Sequence, residues 1–198
     1  MTSLFLRSAG AVVFGALVVV IASGTAAESR GTRPLTSALG RFGEQVAAYP
    51  ALRQQVDFSL PPAFERPRGV RAMLQARAEL AFAIKAARPH ARQGDFFSPA
   101  VVDIFRGTIA QALSGVDSDA FFESLYAEDA VPAGLPPRLH DTYPEWATHE
   151  VPLVILERLP LLPDELEYRL IGRTLVLWDV DADLILDVLP DAIPGLTS

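Results

Sequence analysis

Four consecutive apolar residues, Leu175-Val-Leu-Trp178, leave this chain few choices of fold. They sit inside a segment that otherwise reads as paired strands. Before them, Leu166-Glu-Tyr168-Arg-Leu170 alternates with period two, and Gly172-Arg173 fits a two-residue hairpin turn. After them, Asp179 to Asp183 turns the chain, Leu184 to Leu189 forms a third strand, and Pro190 ends it. A strand sends successive side chains to opposite faces, so the middle strand needs cover on both. A hairpin alone is marginal in water. The strands are therefore expected to be part of the core, with helices laid on one face. Replacement of Asp187 is expected to be mild where its side chain faces solvent.

The helices come from the first two thirds. Leu35, Leu39, Phe42, Val46 and Tyr49 recur at steps of four and three, which lines one helix face, and Pro50 is read as its stop. Residues 51–66 read as irregular around Pro61-Pro62. A second helix is expected to begin near Pro67, with Val70, Met73, Leu74, Leu80, Ala81 and Ile84 as its stripe and Pro89 beyond its end. Ser98-Pro99 starts a third, carrying Val101, Val102, Phe105, Ile109 and Leu113 to a stop at Gly115. Asp117 or Ser118 can cap a fourth with Phe121, Phe122, Leu125 and Tyr126. Residues 129–150 read as a long loop, and Pro152 to Arg158 as one or two helical turns. The class is α+β: four to five helices packed on a small C-terminal antiparallel sheet of two to three strands.

The first 27 residues have the three parts of an export signal. Arg7 is the only charge before Glu28, Ala11 to Ala22 is apolar, and Ser23-Gly-Thr-Ala-Ala27 is a small-residue exit. Removal after Ala26 or Ala27 is expected. The rival reading is an uncleaved anchor, since the uncharged run Ser8 to Ala27 is 20 residues long. Contact with a membrane is expected only if this segment is retained. Residues 28–34 read as a flexible tether. Residues 35–198 read as one domain, with a helical part 35–128, a proline-rich loop and short helix 129–165, and a β-meander 166–190.

Charge limits the partners. Without Arg7 the chain carries 16 Lys/Arg against 24 Asp/Glu, a net −8. Phosphate contacts need clustered Lys/Arg, so nucleic acid is not expected. Residues 41–106 hold ten Lys/Arg and six Asp/Glu, whereas 107–198 hold four and seventeen. The two halves are expected to attract each other within one fold. There is no cysteine, hence no disulfide framework and no thiolate metal site.

Motifs for chemistry are incomplete. Asp179, Asp181 and Asp183 alternate as in a calcium loop, but the places that need Gly and Glu hold Leu184 and Pro190. The competing reading is a turn in which aspartates bond their own backbone. His149-Glu150 opens like a zinc-protease helix, but Leu153 stands where the second histidine belongs and Pro152 breaks the helix. His140-Asp141 is an isolated pair. There is no Gly-x-Ser-x-Gly elbow and no glycine-rich phosphate loop. Asp179, Asp181, Asp183, His140 and His149 are the positions to follow, and no catalytic, cofactor or metal role is assigned to any of them. Arg169 and Arg173 are read as partners of local acids.

Two stretches, Leu-Pro-Leu-Leu-Pro-Asp-Glu-Leu-Glu-Tyr-Arg with its continuation (residues 159–194) and Ala-Arg-Gln-Gly-Asp-Phe-Phe-Ser-Pro (residues 91–99), resemble segments of uncharacterised exported bacterial proteins. Those proteins pair a helical middle with a closing hairpin. The resemblance implies no activity and no site residue. Trp178 departs from it, since a smaller apolar residue is expected there. The functional expectation is a non-enzymatic envelope protein, a binding or accessory module with a protein partner. The alternative is a hydrolase whose site joins distant His, Asp and Glu residues.

Overall fold

The computed structural model describes residues 29–61, 68–115, 117, 120, 136–143 and 145–193. The export signal, and the helix expected around Phe121 to Tyr126, lie outside them. Three helices come first: α1 (Ser29–Ser59), α2 (Val70–Ala87) and α3 (Pro99–Ala112). A 3-10 turn (Glu145–Ala147), the short strand β1 (His149–Glu150) and the one-turn helix α4 (Leu153–Leu156) lead to β2 (Leu166–Ile171), β3 (Thr174–Asp179) and β4 (Leu184–Leu189). The strands form one antiparallel sheet in the order β1-β2-β3-β4. The expected α+β class and the meander are thus present, with four strands where two to three were expected. The additional strand pairs His149 with Leu170 and Glu150 with Arg169. Two residues are too few to carry a period-two pattern.

α1 does not stop at Pro50. It runs on to Ser59, and its first turns include residues 29–34, read from composition as a tether. An interior proline loses one backbone hydrogen bond and costs about 3 kcal/mol. The helix continues because its buried face continues: Arg53 and Val56 follow Tyr49 at steps of four and three, and both are buried. α2 begins at Val70, three residues later than expected, after Gly69 at φ 87°. Only the second half of its expected stripe is covered. Leu80, Ala81 and Ile84 are buried, whereas Val70, Met73 and Leu74 are exposed. Arg77 pairs with Asp183 in the β3–β4 turn, so the turns of α2 before it lie beyond the sheet. α3 starts at Ser98-Pro99 as expected, with Val102 N–H on the Ser98 carbonyl at 2.9 Å.

Four aromatic rings join the helical layer to the sheet. Phe105 of α3 meets Phe42 of α1 at 5.3 Å, Phe97 at 5.6 Å and Tyr168 of β2 at 5.9 Å, all edge to face. Leu175, Leu177, Leu184 and Leu186 complete that core. The opposite face has its own cluster of Ile171, Val176, Trp178, Ile185 and Val188, with Tyr143 against it. Trp178, 2% exposed, fills this face where a smaller residue was expected. The free edge of β4 is met by residues 140–143. His140 N–H donates to Ile185 O and Tyr143 N–H to Asp183 O, and Thr142 bridges to Leu184.

β4 also carries a bulge. Leu177 pairs with Asp187 but Trp178 pairs with Ile185, leaving Leu186 as the extra residue. Period two from Leu184 and Leu186 places Asp187 with Ile185 on the far face. The bulge reverses this and aims Asp187 at the helical layer, where it is fully buried. The condition under which its replacement would be mild, a side chain in solvent, is therefore not met.

Candidate functional site

Two buried carboxylates anchor the polar layer between helices and sheet. Asp187 Oδ1 accepts from the N–H groups of Gly94 (2.9 Å) and Val188 (2.8 Å), and Oδ2 from Phe96 (2.9 Å) and Phe97 (2.8 Å). Burial pushes this carboxyl above the ordinary carboxylate range, and the four amides oppose the shift. The loop it holds is residues 91–97, turned by Gly94 at φ 91°. The two stretches singled out in the sequence therefore meet at Asp187. The role is structural: every acceptor position is filled by backbone.

Asp179 is the second anchor. Oδ1 accepts from Ala182 N–H at 2.9 Å, and Oδ2 accepts from the Tyr49 hydroxyl at 2.7 Å. Arg53 Nε lies 2.9 Å from the same Oδ2 as an ion pair, without hydrogen-bond alignment. Arg53 also reaches Asp181 through Nη2 and Asp57 through Nη1, each at 2.9 Å. Arg77 holds Asp183, whose backbone is left-handed at φ 49°. The aspartate run is thus a turn, as its own-backbone bond shows, and it is also the seat of arginines from α1 and α2. Attraction between the basic and acidic halves is realised in these pairs. Among the described residues, no three His, Asp or Glu side chains are placed to hold a metal ion.

The two histidines lie at opposite edges of the sheet. His149 lies in β1 opposite Leu170. His140, at φ 69°, lies beside β4. Arg169 is paired with Glu167 at 2.7 Å, as expected, while Arg173 reaches the Ile193 carbonyl at 3.5 Å.

The antiparallel pair formed by α2 and the end of α1 is grooved on both sides. One groove, about 540 Å³, has Arg53, Asp181 and Arg77 on its polar side and Phe58, Leu60, Met73 and Leu80 on its apolar side. The other, about 440 Å³, is lined by Val56, Leu60, Phe82 and Ala83. Phe58 of the first is 82% exposed and Phe82 of the second 71%; Val70 (72%) and Leu74 (61%), also on α2, are exposed as well. A third groove, about 390 Å³, lies beside β2 between Leu161, Leu162 and Tyr168. His140 and His149 line none of the three. The sequence showed Val70, Met73 and Leu74 as apolar but assigned them to the core. Arg53 and Asp187 were missed as site-forming residues, although each is a lone charge on an apolar face. Compared with known protein families, with curated proteins and with solved structures, the chain matches none.

Proposed function

We propose that this chain is an exported protein of the cell envelope that works by binding a protein partner, with the exposed apolar side chains of the α1–α2 pair as its docking surface. The observation that carries the reading is the set of large apolar side chains on α1 and α2, Phe58, Val70, Leu74 and Phe82, that stand in solvent, Phe58 in one groove and Phe82 in the other. Scattered exposed hydrophobes are ordinary, but several grouped on one helix pair mark a contact surface. Anchors of a partner seat well in such pockets, and Arg53, Asp57 and Arg77 beside them supply a polar border. The export half of the proposal rests on Arg7, the apolar run 11–22 and the small residues before Glu28. No helix among the described residues is long and apolar enough to cross a membrane.

The test is a paired substitution, Phe58→Glu with Leu74→Glu. Both residues are exposed, so the variant is expected to melt like the wild type. The wild type is expected to leave the envelope fraction in a complex with a distinct protein, and the variant without it. An unchanged complex in the variant, or a wild type that leaves alone, overturns the proposal.

A further inference from the structure

β1 covers only part of its neighbour. It pairs His149 with Leu170 and Glu150 with Arg169, and Pro152, which has no N–H to donate, follows at once. The same register sets position 153 against Leu166, but Leu153 already belongs to α4. β2 therefore runs from Leu166 to Tyr168 with no strand on this side among the described residues. Val180 N–H donates to Glu165 O at 3.1 Å, so Glu165 turns its backbone groups toward β3. Alternation along an antiparallel strand turns those of Leu166 the other way. Leu166 N–H donates to Pro163 O at 3.0 Å, and its carbonyl faces the open edge. Such an edge is a template for another chain.

The groove of about 390 Å³ lies along this stretch. Leu156, Pro160, Leu161, Leu162 and Tyr168 form its apolar walls, and Glu150 and the Glu167–Arg169 pair are its polar ones. The Tyr168 hydroxyl donates to Pro160 O at 3.1 Å, which holds the 160–162 loop against β2. Leu161 stands 94% exposed, and Leu153 and Leu156 of α4 are exposed too. The charge around these residues has one sign. Positions 150–167 hold five Asp/Glu against one Lys/Arg, and Glu150, which lines the groove, is exposed. An anionic membrane surface or a nucleic acid is repelled by such a patch, whereas a polypeptide carrying positive charge is attracted.

We propose that the uncovered length of β2 receives an extended, cationic and apolar segment of a partner protein as a further strand. A backbone N–H of that segment donates to the Leu166 carbonyl. Its alternate side chains enter the groove between Leu161 and Tyr168, and a lysine or arginine on it pairs with Glu150. This surface is separate from the α1–α2 docking surface: α4 packs on α3, whereas α2 packs on α1.

The protein as recovered from the expressing cell is titrated into a fluorescent peptide that alternates lysine with valine, and binding is read by anisotropy. A peptide alternating glutamate with valine and one alternating lysine with serine are the comparisons. Saturable binding is expected for the lysine–valine peptide alone. It is expected to be lost when the backbone amides of that peptide are N-methylated and can no longer donate. Glu150→Gln is expected to weaken binding about threefold, and Leu161→Ser about tenfold. Asp103→Asn, which changes the net charge equally on α3, is expected to leave it unchanged. Glu150, Leu161 and Asp103 are exposed, so all three variants are expected to melt like the wild type. No binding of the lysine–valine peptide, equal binding of either comparison peptide, or full binding after N-methylation overturns the proposal. So does binding that Glu150→Gln or Leu161→Ser leaves intact. Dimers in sedimentation that are lost in Leu161→Ser show a second copy of this chain as the occupant, and they overturn it as well.

Discussion

Asp187→Ala is a severe lesion if the bulge in β4 aims the carboxylate inward, and a mild one if it does not. The substitution strands the N–H groups of Gly94, Phe96 and Phe97, together with that of Val188. Hydrogen bonds to a charged group contribute about 1.5–3 kcal/mol each, and a buried donor left unmade costs about 1–3 kcal/mol. Part of this is returned, because the variant no longer buries a charge. Relaxation of the 91–97 loop, with water entering, returns more. A net loss of about 3–5 kcal/mol is expected, the range found when one partner of a buried charged contact is removed. That is a large share of the roughly 5–15 kcal/mol that holds a domain together. Asp187→Asn separates shape from charge. Its amide turns two donors towards N–H groups, so a loss of about 2 kcal/mol is expected despite equal size. Urea denaturation followed by far-UV circular dichroism measures both, provided the slopes match the wild type. A loss under about 1 kcal/mol for Asp187→Ala refutes the inward orientation and the account of the bulge.

Pro50→Ala is expected to raise stability by about 1–2 kcal/mol by the same measurement, because helix propensity gains about 3 kcal/mol and the freer unfolded chain takes some back; a loss means that α1 needs its proline. His140 has a depressed pKa in the fold. The stability contributed by its neutral ring is therefore full above the unfolded value of about 6.5 and is lost as pH falls through the folded value. The stability difference between wild type and His140→Asn should shrink as pH falls below the unfolded value of about 6.5, and a difference constant with pH contradicts this. Calcium at millimolar concentration should leave the melting temperature unchanged, since Arg53, Arg77 and Tyr49 occupy Asp179, Asp181 and Asp183; a clear rise, lost in Asp181→Ala, contradicts the turn reading.

The meander was legible because its signals are local. Leu166 to Leu170 alternates, Gly172-Arg173 turns with Gly172 at φ 58°, and four apolar residues mark the strand with neighbours on both sides. Local signals also misled. Pro50 is a helix stop by propensity, and only the buried face resumed at Arg53 and Val56 overrides it. Asp187 is on the outer face by alternation, and only a bulge that is invisible in the sequence turns it inward. The arginine seats of the aspartate turn lie more than a hundred residues from it along the chain. The charge imbalance between the halves announced an attraction without naming its partners. Val70, Met73 and Leu74 have the spacing of a core stripe, and sequence cannot show that α2 begins before the sheet does. The same residues are therefore core by pattern and surface by position, and the proposed function rests on that difference.

Photo-crosslinking from the α1–α2 face, in cells that produce the protein, tests the binding function most directly. Benzoylphenylalanine is placed at position 58 or 74, with position 103 on α3 as the control. The docking account predicts one discrete adduct of the same size from positions 58 and 74, made in the envelope, and none from position 103. No adduct from position 58 or 74, or the same products from all three, contradicts it.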